Sequence, residues 1–182
     1  MPADPVAEAI AAFRAAAPDD EATKIDALGV LEERDDPRVL PFFLEVLSDP
    51  RGLDLSRVEV CEILQAREGD PAAARAKIAA ALAHVLLDDE DDDVRNYSAN
   101  ALANYMNEKG AREAIEAVLL DAGENRNVRQ NALFAIERAG PSSDNKKLLQ
   151  QLEFDPQLSR TAKRILSEWD PDRGGDEDGE DE

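Results

Sequence analysis

A nine-residue pattern returns five times along this 182-residue chain, and no other feature constrains the fold as tightly. The copies are TKIDALGVL from Thr23, SRVEVCEIL from Ser56, VRNYSANAL from Val94, VRQNALFAI from Val128 and LSRTAKRIL from Leu158. Each places a small or β-branched residue fifth, a mostly small or β-branched one eighth and an aliphatic ninth. The starts lie 33, 38, 34 and 30 residues apart, which is the period of a helix-pair repeat. The second position is basic in four copies, as Lys24, Arg57, Arg95 and Arg129, and is Ser159 in the fifth. The pattern specifies an architecture and no reaction.

The punctuation between the copies divides the chain into helices. Asp-Pro occurs six times, at Asp4-Pro5, Asp36-Pro37, Asp49-Pro50, Asp70-Pro71, Asp155-Pro156 and Asp170-Pro171. Aspartate accepts from the free amides of a helix start, and proline suits the first helical position, where its missing N–H costs nothing. Most of these dipeptides therefore read as helix starts, with Asp170-Pro171 as an exit and Asp49-Pro50, followed by Arg51-Gly52, as a turn. Ten helices are predicted, near 4–16, 20–33, 37–48, 54–67, 71–87, 91–107, 110–122, 126–139, 142–153 and 156–169. In the last of them Leu158, Ala162, Ile165, Leu166 and Trp169 form one apolar stripe of helical period. Pro41 predicts a late start or a bend in the third.

Packing must rest on alanine and leucine, because apolar residues make up 43% of the chain but aromatics only 4%. That suits closely stacked helices, and runs of β-branched and aromatic residues, the usual strand signal, are nearly absent. No run of about 18 uncharged apolar residues is present, so no membrane span is expected. The start, MPADPVAEA, is acidic and lacks the basic residues and apolar run of a signal peptide; a cytoplasmic location is the resulting expectation. Cys61 is the single cysteine, which excludes an intrachain disulfide and a thiolate metal cluster, and its place in the repeat predicts a packed thiol.

Forty-one acids against 21 bases give a formal charge of −20. Such a field repels phosphate backbones, so nucleic acid is excluded as an expected ligand. Two consequences stay open: attraction of a basic partner protein, or solubility alone. Six lysines against fifteen arginines also fit a GC-rich or salt-adapted proteome.

With the VRxxAxxAL-like line in the first helix of each pair, and DDPRVLPFFLEVLSDP at 35–50 as a second helix, the chain resembles HEAT-repeat proteins. It is most similar to the short-repeat bacterial and archaeal group often called HEAT-like or lyase-type, over about residues 20–169. The resemblance implies an all-α fold, a right-handed α-solenoid of about four antiparallel helix pairs starting near 20, 54, 91 and 126, with a capping helix at each end. The expected organisation is an N-terminal capping helix over 1–19, a repeat domain over 20–169 and a disordered acidic tail over 170–182. The resemblance further implies that Lys24, Arg57, Arg95 and Arg129 pair with acids in neighbouring turns, as a structural ladder. It says little about function. The function it suggests is non-catalytic: a scaffold or adaptor that binds another protein. Two rivals are an acidic immunity or antitoxin-type inhibitor of a basic protein, and a HEAT-like subunit of a bilin-lyase-type enzyme.

No catalytic, cofactor-binding or metal-binding residue is assigned, and no cofactor is expected. His84, the sole histidine, falls beside Lys77 and away from the Ile78–Leu82–Val85 stripe, as a surface side chain. Asp88 to Asp93 precede a helix, where the macrodipole favours anions; they lack the glycine turn of a calcium loop. The second helices present mixed charge, Arg38 and Glu45, Lys77 and His84, Glu113 and Glu116, Lys147 and Gln150, and mark no groove. The sixth helix is unusual. Asn96, Asn100, Asn104 and Asn107 fall on one line, opposite the core residues Val94, Ser98, Ala101 and Tyr105. Asparagine is a poor helix former, and amides that both donate and accept suit contact with a protein. The eighth helix offers Gln130 and Phe134 on the corresponding face. Asn96, Asn100, Asn104, Gln130 and Phe134 are therefore the expected contact patch.

Overall fold

A computed structural model describes residues 4–171. Of the expected acidic tail, everything from residue 172 on lies outside the described residues. Ten α-helices follow one another: α1 (Pro5–Ala15), α2 (Glu21–Glu32), α3 (Val39–Ser48), α4 (Asp54–Ala66), α5 (Ala72–Asp88), α6 (Asp92–Leu102), α7 (Lys109–Leu120), α8 (Arg126–Ala139), α9 (Ser143–Leu152) and α10 (Ser159–Trp169). The described residues contain no strand, and none of their helices is long and apolar enough to cross a membrane.

Local chemistry explains the boundaries. Asp4 caps α1 with Pro5 in the first helical position, its carboxylate accepting from the Ala7 amide at 3.1 Å. Asp20 and Asp91 cap α2 and α6 in the same way. Asp36-Pro37 and Asp155-Pro156 instead form the turn just ahead of a helix, so α3 and α10 begin later than the dipeptides suggest. Pro41 falls in the first turn of α3, where amides have no intrahelical acceptor, and the helix tolerates it.

The repeat pattern is the core pattern. Its fifth and ninth positions are buried in all five copies, and its eighth in four. Val30 is the exception at 41% exposed; it borders a shallow apolar groove between α1 and α2. Phe43, Leu28, Leu47, Leu64, Leu82, Leu86 and Leu102 are fully enclosed within one continuous cluster.

The helices pack in two rows. α2 touches α4, α4 touches α6 and α6 touches α8, while α3 touches α5 and α5 touches α7. The closest sequential partners are α1 with α2, α3 with α4, α5 with α6, α7 with α8 and α9 with α10. This corrects the expected pairing, which joined α2 to α3 and α4 to α5 and left a single helix at each end. The physical reason lies at the junctions. At three of the five pairs, an arginine at the start of α4, α6 or α8 bonds the last turn of the helix before it.

Candidate functional site

Those arginines are the second-position residues of the repeat, and each makes the same two kinds of bond. Arg57 donates through Nε to the Leu47 carbonyl at 3.2 Å and pairs with Asp89 beyond the end of α5. Arg95 donates to the Leu86 carbonyl at 2.9 Å and pairs with Glu124 in the α7–α8 junction. Arg129 donates to the Leu119 carbonyl at 2.7 Å and to Asp155 in the α9–α10 junction at 2.6 Å. Each guanidinium thus satisfies an orphan carbonyl at a helix C-terminus and reaches an acid one helix pair further along. Lys24 departs from the expected ladder, donating to the Pro18 carbonyl at 2.8 Å in place of an acid. Arg129 departs in detail: its Nη2 takes both bonds, and its buried Nε has no partner.

Burial works to raise the pKa of Asp89 and of Asp155. Hydrogen bonds from the paired arginine and from nearby backbone amides outweigh it, and both carboxyls sit below the ordinary range. Asp36 is lowered to about 2, chiefly by its hydrogen bond from Arg38. Glu59 moves the other way, pushed up by burial and then by Glu62 and Glu32.

Four acids of the run Asp88–Asp93 have partners within the chain. Asp88 lies 2.7 Å from His84 Nδ1, Asp89 holds Arg57, Asp91 caps α6, and Asp92 accepts from Asn125 at 2.5 Å. His84 itself is exposed. Among the described residues no group of three or more His, Cys, Asp or Glu side chains could hold a metal ion. Cys61 is fully buried, 3.4 Å from the Ser98 hydroxyl, and burial pushes its thiol up to about 12. The thiol should therefore react with a maleimide near pH ~8 at least ~100-fold more slowly in the native chain than in urea. Comparable rates in a labelling time course would show the thiol to be accessible.

The expected contact patch is brought together in part. Asn96, Asn100, Gln130 and Phe134 line one groove of about 450 Å³ between α6 and α8, with Tyr97, Asn131, Asp93 and Asn127. Asn104 does not line it. The sixth helix was expected to run to 107, but α6 stops at Leu102 and tightens into a 3-10 turn over Ala103–Tyr105. Tertiary bonds hold that turn. The Tyr105 hydroxyl donates to the Leu64 carbonyl at 2.6 Å, and Asn104 Nδ2 donates to the Gln65 carbonyl at 2.5 Å. Asn104 also accepts from Arg138 at 2.9 Å, so its side chain is engaged within the chain.

In the groove, Asn131 Nδ2 donates to Asn96 Oδ1 at 3.1 Å. The half-buried amides of Asn100 and Gln130 have no hydrogen-bond partner among the described residues. Tyr97 and Phe134 flank them at 36% and 37% exposed. Asp93 is the only charged residue of the eight that line the groove. In a chain where charged residues are 34% of the total, a neutral strip of amides and aromatic rings is the local departure. Tyr97 and Asn131 were missed by sequence reasoning, although both hold the fourth slot of the repeat.

A second groove, of about 500 Å³, lies beside the first arginine pair and is lined by Asp54, Arg57, His84 and Asp88 to Asp91. No protein-family model matches the chain, and no curated protein matches it significantly.

Proposed function

We propose that the chain is a non-catalytic protein-binding module, a right-handed α-solenoid of HEAT-like repeats acting as a scaffold or adaptor. The alternate-helix contacts within each row and the arginine at the same repeat position support the solenoid reading. One observation carries the binding reading: Asn100 and Gln130 turn unpartnered amides into the α6–α8 groove between Tyr97 and Phe134. Amides that both donate and accept can pair with a partner's backbone, while the rings supply apolar area. Backbone recognition of this kind needs no charge on the groove itself.

The variant Asn100→Glu/Phe134→Glu tests this. Both side chains reach solvent, so its melting temperature should stay within about 2 °C of the native value. Affinity capture with the full chain as bait, read by mass spectrometry, should lose a partner that the native chain retains. Identical protein sets from the two baits would sink the groove as a contact site.

A further inference from the structure

The edge of the molecule that carries the arginine pairs also exposes large apolar side chains. Leu87 follows Leu86, whose carbonyl accepts from Arg95; Leu120 follows Leu119, whose carbonyl accepts from Arg129; Phe154 precedes Asp155, the acid that Arg129 holds. The chain of bonds from Leu86 through Arg95 to Glu124, and from Leu119 through Arg129 to Asp155, places these three junctions in sequence along one edge. Leu87, Leu120 and Phe154 are 47%, 55% and 88% exposed. Exposed acids adjoin two of them in the chain: Asp88 and Glu90 at the first junction, Asp121 at the second. Among the described residues nothing covers the exposed parts of these side chains, and their burial by a partner would remove substantial apolar area from water.

We propose that this edge docks a cationic amphipathic helix of a partner protein. Its apolar face would rest on Leu87, Leu120 and Phe154, and its lysines or arginines would meet Asp88, Glu90 and Asp121. Charge complementarity selects the occupant. A net charge of −20 disfavours an anionic lipid surface or a nucleic acid, and favours a basic polypeptide. Geometry selects its period. Neighbouring packed helices lie about 8–10 Å apart, and a helix rises about 1.5 Å per residue. Along a crossing helix that spacing is about five to seven residues, and the longer value returns apolar side chains to nearly the same face each time. The proposal rests on the protein-binding reading above but uses a surface distinct from the α6–α8 groove.

The probe is a fluorescein-labelled 18-residue peptide with leucine at every seventh position, lysine beside each leucine and alanine elsewhere. A control peptide has the same composition with its leucines on different faces. Fluorescence anisotropy against the full chain should show the heptad peptide binding at least about tenfold more tightly than the control. The variant Leu87→Ser/Leu120→Ser/Phe154→Ser removes apolar area without changing charge at exposed positions. It should abolish that preference and leave the weak, salt-sensitive binding of the control unchanged, with its helical circular dichroism intact. The Asn100→Glu/Phe134→Glu chain should bind the heptad peptide as the native chain does. Equal binding of the two peptides, or a triple variant that keeps the preference, would overturn the proposal. Loss of the preference in Asn100→Glu/Phe134→Glu alone would place the peptide in the groove, overturning the edge while leaving the protein-binding reading in place.

Discussion

Replacing Arg57 with methionine should lower the stability of the chain by ~3–5 kcal/mol, the cost of leaving a buried charge without its partner. In a protein of this size that is a fall of roughly 10 °C in melting temperature. The Arg57 side chain is 2% exposed and Asp89 8%, so little water could compensate either group. The substitution also strips the donor from the Leu47 carbonyl. Methionine fills much of the same volume, so the loss reports the polar contacts. The double variant Arg57→Met/Asp89→Leu should recover more than half of it, because removing both charges also removes their desolvation penalty. Thermal and urea melts followed by circular dichroism read both numbers. A single variant within about 1 kcal/mol of the native chain would mean that the pair contributes little.

Acid should unfold the protein between about pH 4 and pH 2. Asp89 and Asp155, and Asp36 at about 2, have pKa values depressed by folding. Their contribution is fully present above the unfolded aspartate value of about 3.9 and is lost as the pH falls through the folded values. Glu59, raised by burial and by its acidic neighbours, contributes with the opposite sign and favours the folded state as it takes up a proton. Protonation of other surface acids also relieves repulsion within a chain of charge −20. The melting temperature should therefore rise from neutral pH to a maximum near pH ~5 and then drop steeply. A profile that keeps rising below about pH 3 would show that repulsion outweighs the arginine pairs.

Helix positions were legible in the sequence because the signals are local. Asp4, Asp20 and Asp91 cap the helices they precede, and the repeat's fifth and ninth positions fall in the core in every copy. The end of α6 was not legible, because bonds to Leu64 and Gln65 on α4 close it and no neighbouring residue marks them. The pairing of helices was hidden for a similar reason. Connections of three to six residues occur in both sets of junctions, and the long reach of Arg57, Arg95 and Arg129 marks three of the five packed pairs. Their acids were equally obscure: Asp89, Glu124 and Asp155 follow their arginines by 32, 29 and 26 residues, with no fixed interval. The groove was readable at Asn96, Asn100, Gln130 and Phe134, where helical spacing and repeat register coincide. Asn104 shares that spacing on paper and loses it once the last turn tightens.

The two margins of the stack are fastened by different chemistry. Along one, arginine–carboxylate pairs join successive junctions; along the other, ion pairs such as Arg67–Asp70, Arg75–Glu108 and Arg164–Glu137 are accompanied by neutral bonds from the Tyr105 hydroxyl, Asn104 and Asn145 to the carbonyls of Leu64, Gln65 and Gly140. Protons or concentrated salt act on the ion pairs of both margins and hardly touch the neutral bonds. As the pH falls through the folded aspartate values, the bonds from Tyr105 and Asn104 to α4 should therefore outlast the arginine pairs, as a clasp that survives the loss of its rivets.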